Sequence, residues 1–81
     1  MREIREIPIS CVRMDRYPLN PTMIGLLTHM SSGGTVPPIK VASRGDGTYE
    51  IRDGRHRILA HKLLGMKHIK ALVSPKPLRH V

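Results

Sequence analysis

Five consecutive residues, Asp53-Gly54-Arg55-His56-Arg57, bring together the groups most suited to acting on a ligand. They lie between an alternating run that ends near Ile51 and a helical pattern that begins near Arg55, which predicts a strand-to-helix junction. A helix start presents unpaired backbone N–H groups and a partial positive charge, and a glycine there lets an anion reach the backbone with no Cβ in the way. Three cations in a first turn oppose the helix dipole, at a cost of a few tenths of a kcal/mol each. A bound phosphate removes that conflict, because guanidinium groups match phosphate oxygens in bidentate geometry and His56 can also donate. Gly54, Arg55, His56 and Arg57 are therefore the expected phosphate-binding residues. The alternative is that these cations simply pair with Asp53, Glu50, Glu3 or Glu6. The segment is not a P-loop, since the spaced glycines and the Lys-Ser/Thr pair are lacking.

Other chemistry is less well supplied. Metal-assisted phosphoryl transfer needs a carboxylate to hold the ion, and the candidates are Asp15, Glu50 and Asp53, the last beside three cations. Lys62, Lys67 and Lys70 are further candidate contacts to a nucleic acid or other anion. His56 and His61 are five residues apart, about 140° around a helix, so they do not form a helical metal pair. His29, His68 and His80 show no ligand spacing, and no metal site is expected. Cys11, the single cysteine, reads as a small buried hydrophobe in a strand and permits no internal disulfide.

The 81 residues carry 14 Lys and Arg against 6 Asp and Glu, a net charge of +8. This is the size and balance of one small basic domain with a modest core, too short for a two-domain enzyme. Residues 51–81 hold eight basic residues against Asp53 alone, so +7 of the +8 lies in that half. Such an excess is either an anion-seeking surface or a solvated basic face. Phe and Trp are absent and Tyr17 and Tyr49 are the only aromatic rings, which argues against base-stacking RNA or single-strand binding sheets. No apolar run approaches the ~18 residues that span a bilayer, and no signal-peptide block follows Met1-Arg2-Glu3, so a cytoplasmic protein is expected.

The elements that must position Gly54 can be read from pattern. Ile7, Ile9 and Cys11 alternate with polar neighbours and predict a first strand, at an edge because of Pro8. Tyr17-Pro18-Leu19-Asn20-Pro21 reads as a loop. Asn20 followed by Pro21 is an N-cap and first-turn signature, and the helix should carry Met23, Ile24, Leu26, Leu27 and Met30 as one apolar stripe before stopping at Ser31-Ser32-Gly33-Gly34. Ile39-Lys40-Val41 and Thr48-Tyr49-Glu50-Ile51 predict a hairpin across Gly45-Asp46-Gly47. A second helix is expected from Arg55 to Leu64, with Ile58, Leu59, Ala60, Leu63 and Leu64 inward and Gly65 as its stop. Ile69, Ala71, Leu72 and Val73 supply a last strand. The domain should cover residues 1–74, and 75–81, with two prolines, a basic tail.

Several of these segments together resemble the ParB/sulfiredoxin superfamily. They are Pro38-Ile39-Lys40-Val41, the run from Tyr49 through Asp53-Gly54-Arg55-His56-Arg57 to Ala60, and Leu64-Gly65 with the closing strand. In the ParB N-terminal domain the corresponding elements are a proline-isoleucine strand, a YEI-x-x-G-E-R-R-x-x-A element and an x-L-G helix end. The resemblance implies an α+β fold, a small mixed sheet with two main helices, and phosphate contacts to a nucleotide at Gly54, Arg55, His56 and Arg57. Arg55 stands where ParB has Glu, His56 where it has Arg, and His29 where a serine or threonine is expected near the end of the first helix. The cysteine of sulfiredoxin's Gly-Cys-His-Arg box is replaced by Arg55. The free-serine kinase branch is similar at Asp53-Gly54-x-His56-Arg57, but its catalytic glutamate has no counterpart among residues 16–20, although Asp15 is adjacent. ParB's helix-turn-helix DNA-reading domain has no equivalent, and no second helix is expected beside the Arg55 helix for base readout.

The function expected on these grounds is a regulatory ParB-like module that binds a nucleotide (CTP or ATP, with Mg²⁺) or a DNA backbone. Alternatives are a nucleotide-dependent phosphotransferase or ParB-like nuclease, and a protein-interaction module using an edge strand or the Pro-containing tail. A homodimer is compatible with the small size.

Overall fold

The computed structural model describes residues 3–14 and 20–75. Within them the chain forms strand β1 (Glu3–Pro8), a 3-10 turn (Ile9–Cys11), β2 (Val12–Arg13), helix α1 (Pro21–Ser31), β3 (Ile39–Ser43), β4 (Tyr49–Asp53), α2 (Arg55–Leu63) and β5 (His68–Ser74). The strands make one sheet in the order β1-β5-β3-β4-β2. β1 runs antiparallel to β5, β5 parallel to β3, β3 antiparallel to β4, and β4 parallel to β2. This is the expected α+β mixed sheet with two helices. Tyr17 to Leu19, Asp15 and the tail from Lys76 to Val81, including His80, lie outside the described residues.

Alternation along the strands builds the core. Ile69, Ala71 and Val73 of β5 are buried while His68 and Lys70 are exposed, the period-two signature of a sheet covered on one face. With Ile7, Ile9, Ile39, Val41, Ile51 and Ile58 these residues form the main cluster. α2 packs on β3 and β5, and α1 packs on α2. The second cluster, Met23 with Leu59 and Ala60, seals that helix pair, with Leu26, Leu27 and Met30 half-buried against it. The helix that packs beside α2 is the expected first helix, α1. It is separated from α2 in sequence by the β3–β4 hairpin, so the pair is not a helix-turn-helix.

Pattern reading went astray where alternation was too short to specify an element. The expected strand across Ile7, Ile9 and Cys11 starts and ends earlier, as the edge strand β1. Pro8, at φ −66°, leads into the 3-10 turn, and the Ile9 N–H donates to the Lys67 carbonyl at 2.9 Å. Ile9 reaches the core from that turn, and Cys11 is only half-buried. Ile24 is 70% exposed, because it sits one residue and about 100° around the helix from Met23. Leu63 and Leu64, expected inward, are exposed at 58% and 39%, since the last turn of α2 is covered by neither the sheet nor α1.

Local signals at the helix ends held. The Asn20 side chain accepts from the Thr22 N–H at 3.1 Å with Pro21 opening α1. Both helices close with the same pair of backbone bonds: Gly34 N–H to His29 carbonyl and Gly33 N–H to Met30 carbonyl in α1, Met66 to His61 and Gly65 to Lys62 in α2. In the β3–β4 turn the Asp46 carboxylate accepts from both the hydroxyl and the N–H of Thr48. Those bonds, the hydroxyl foremost, hold the Asp46 pKa below the ordinary carboxylate value.

Gly54 joins β4 to α2 at φ +115°, and a Cβ there would lie 2.5 Å from Ile39 Cγ2. Gly54→Ala is expected to destabilise the domain by roughly 2–4 kcal/mol. Gly33→Ala, with φ +86° and nothing within 4 Å of its Cβ, is expected to cost only about 1–2 kcal/mol. Urea denaturation of the two variants checks the difference. A carboxyl NMR titration should show Asp46 releasing its proton below the usual ~3.9. Its contribution to stability is present above the unfolded-state value and lost as pH falls through the folded one, and Thr48→Val should return the midpoint toward the ordinary value.

Candidate functional site

The β4–α2 junction brings the expected phosphate-binding residues together. Arg52, Asp53, Gly54, Arg55, His56 and Arg57 line one open depression of about 270 Å³. The Gly54 carbonyl accepts the first helical bond of α2 from Ile58 N–H at 3.0 Å, and Gly54 offers no side chain to cap the preceding N–H groups. No acidic residue occupies the first turn. The start of α2, where backbone N–H groups attract anions, and the residues Arg55, His56 and Arg57 therefore border the same concavity.

Two of these side chains also hold the fold. Arg57 Nη1 donates to the Pro37 carbonyl at 3.0 Å and the Pro38 carbonyl at 2.9 Å, and Nη2 meets the Asp53 carboxylate at 3.3 Å. Its side chain is 20% exposed while that of Asp53 is 60% exposed. Arg57 thus fastens α2 to the approach of β3, and Asp53 is its partner one helical turn back. His56 Nε2 lies 3.3 Å from Asn20 Oδ1, the same oxygen that caps α1, so the two helix starts converge. The cation–acid pairing foreseen as an alternative holds for Arg57 with Asp53, while Glu50, another of the foreseen acids, lies 3.7 Å from Arg52 instead.

The remaining expected residues fall elsewhere. Glu50 lies on β4, paired with Arg52, and lines a different cavity. Asp15 lies outside the described residues. Lys62 and Lys67 border one depression at the other end of α2, where Lys62 sits seven residues or about 10 Å along the helix from Arg55. Lys70 is exposed on β5 opposite Glu6. Among the described residues no group of three or more His, Cys, Asp and Glu gathers in a metal-holding arrangement.

Two histidines carry structural duties that spacing alone did not reveal. His61 is buried, with Nδ1 2.6 Å from the Arg57 carbonyl. His29 Nε2 lies 2.8 Å from the Thr35 carbonyl, and its ring passes so close to Gly34 that a Cβ there would collide with it. His29 and Arg57 therefore hold residues 34–38 from opposite helices. The only sequence hint was the Pro37-Pro38 pair, whose carbonyls accept but whose nitrogens cannot donate.

A family model described as the ParB N-terminal domain matches residues 1–79, and the chain belongs to that family. No curated protein matches. Among solved structures, sulfiredoxin from Arabidopsis thaliana is 28% identical with a TM-score of 0.76, over 90% of this chain and 85% of its own. The C-terminally truncated chromosome-partitioning protein ParB from Caulobacter crescentus, complexed with CTP-gamma-S, is 24% identical with a TM-score of 0.74, over 93% of this chain and 46% of its own. A free serine kinase mutant in complex with AMP is 20% identical with a TM-score of 0.76, over 90% of this chain and 31% of its own. The chain thus spans most of the sulfiredoxin but less than half of the ParB and kinase chains.

Removing the Arg57 clamp separates its structural role from any ligand role. Arg57→Ala should destabilise the domain by about 1–2 kcal/mol through loss of its bonds to the Pro37 and Pro38 carbonyls, whereas Asp53→Asn, which weakens only one ion pair with an exposed carboxylate, should cost under about 1 kcal/mol. Denaturation midpoints of the two variants test this ordering.

Proposed function

We propose that the domain is a regulatory binding module that holds the phosphates of a nucleotide at the Gly54–Arg57 turn. The observation that carries this is the convergence of Arg55, His56 and Arg57 with the α2 start on one depression, at a glycine whose φ no other residue adopts cheaply. Family membership supports it, as do a ParB that binds CTP-gamma-S and a kinase that binds AMP on the same fold. In this reading the backbone N–H groups and His56 contact phosphate oxygens, Arg55 supplies charge, and Arg57 both positions the turn and adds its remaining donors. CTP or ATP with Mg²⁺ is the ligand class, a DNA backbone the competing anion, and the cytoplasm the compartment.

Calorimetric titration with CTP, ATP and a short random duplex, with and without Mg²⁺, at two salt concentrations tests the assignment. Micromolar nucleotide binding is expected, about tenfold weaker in His56→Ala. Absence of nucleotide binding, with duplex binding that falls by roughly 0.9 log units per phosphate contact for each log unit of salt, would make the module a DNA-backbone binder instead. Release of product from a labelled nucleotide, lost in Asp53→Ala, would replace the binding role with phosphoryl transfer.

A further inference from the structure

Three arginines far apart in sequence meet at a second place. Arg13 ends β2, Arg44 follows β3 and Arg55 opens α2, and all three line a cavity of about 320 Å³ with Met14, Glu50 and Ile51. The sheet register explains the meeting. β2 lies beside β4 with Arg13 opposite Glu50, and β3 lies on the other side of β4 with Ser43 opposite Tyr49, so Arg44 and Arg13 approach β4 from its two flanks. α2 begins directly after β4 and swings Arg55 toward the same space.

The cavity is strongly cationic. Glu50 is the one carboxylate lining it among the described residues, and Arg52 lies 3.7 Å from that carboxylate. Among the described residues Asp53 meets Arg57, Asp46 accepts from Thr48 and Glu3 meets Arg5. Ile51 is buried and Met14 half-buried, so part of the lining is apolar. Several guanidinium forks around one small volume favour an anion with more than one charge and several acceptor oxygens over a lone carboxylate.

We infer that this cavity is a second anion site, built by Arg13, Arg44 and Arg55 for a phosphoryl group. It adjoins the Gly54 depression through Arg55 but does not depend on ligand binding there. The phosphoryl group comes either from a separate small phosphate or from the far end of a nucleotide seated on α2.

The test is an ¹H–¹⁵N NMR titration of the whole chain with inorganic phosphate at constant ionic strength, using wild type and the Arg13→Gln/Arg44→Gln double variant. Both arginines are exposed, so the double variant should keep its melting temperature. The expected result is saturable shifts at residues 13, 44 and 50, weakened about tenfold in the double variant. Shifts that rise without saturating, or that stay confined to residues 54–57 and ignore the double variant, overturn the proposal. Response at 13, 44, 50 and 55 with silence at 54, 56 and 57 would instead sink the Gly54 reading and leave this one standing. Repeating the titration in saturating ATP or CTP identifies the source. Undiminished phosphate binding marks a separate ligand. Displacement, with the double variant weakening the triphosphate more than AMP or CMP, marks the distal phosphate of the nucleotide.

Discussion

At the centre of the domain Ile39 runs so close beneath Gly54 that no side chain fits between them, and Arg57 reaches across the same seam to the carbonyls of Pro37 and Pro38. The contact and the clamp together set where α2 begins relative to the sheet. Every cationic group at the junction takes its direction from that seam. A displaced α2 start would separate Arg55 and His56 from the backbone N–H groups beside them. It would also unseat Ile58 from the main core.

The same seam makes the glycine serve two ends at once. Its open backbone favours anion approach, and its missing Cβ is required by Ile39 even with no ligand present. Arg57 is likewise divided, with the proline carbonyls and Asp53 drawing on its donors. Arg55 and His56 are the side chains of the turn that do not fasten the β3 approach, although His56 reaches Asn20. Economy of this kind suits a small domain, whose modest core leaves few residues to spare for a purely functional role.

Beyond the junction, charge is distributed by topology. The C-terminal half holds most of the net charge, but the fold sends Lys62 and Lys67 to the far end of α2 and Lys70 to β5. In their place it recruits Arg13 and Arg44 from the nearly neutral N-terminal half to the side of Arg55. Pairing of β4 with both β2 and β3 is what accomplishes this.

Much of the architecture is written locally. The Asn20-Pro21 start, the Gly33 and Gly65 stops, the hairpin around Asp46 and the glycine junction at Gly54 each follow from residue-level stereochemistry, and each appears where sequence places it. The motif around Gly54 was legible for the same reason, since a short stretch of chain holds its members together. What sequence could not state were contacts between distant segments: the hold of His29 and Arg57 on residues 34–38, the exposure of Ile24, Leu63 and Leu64, the 3-10 turn after Pro8, and the meeting of Arg13 with Arg44 and Arg55. Those depend on strand order and on which helix face finds a neighbour. Periodicity along one chain measures neither, because burial is decided only when the whole set of elements packs.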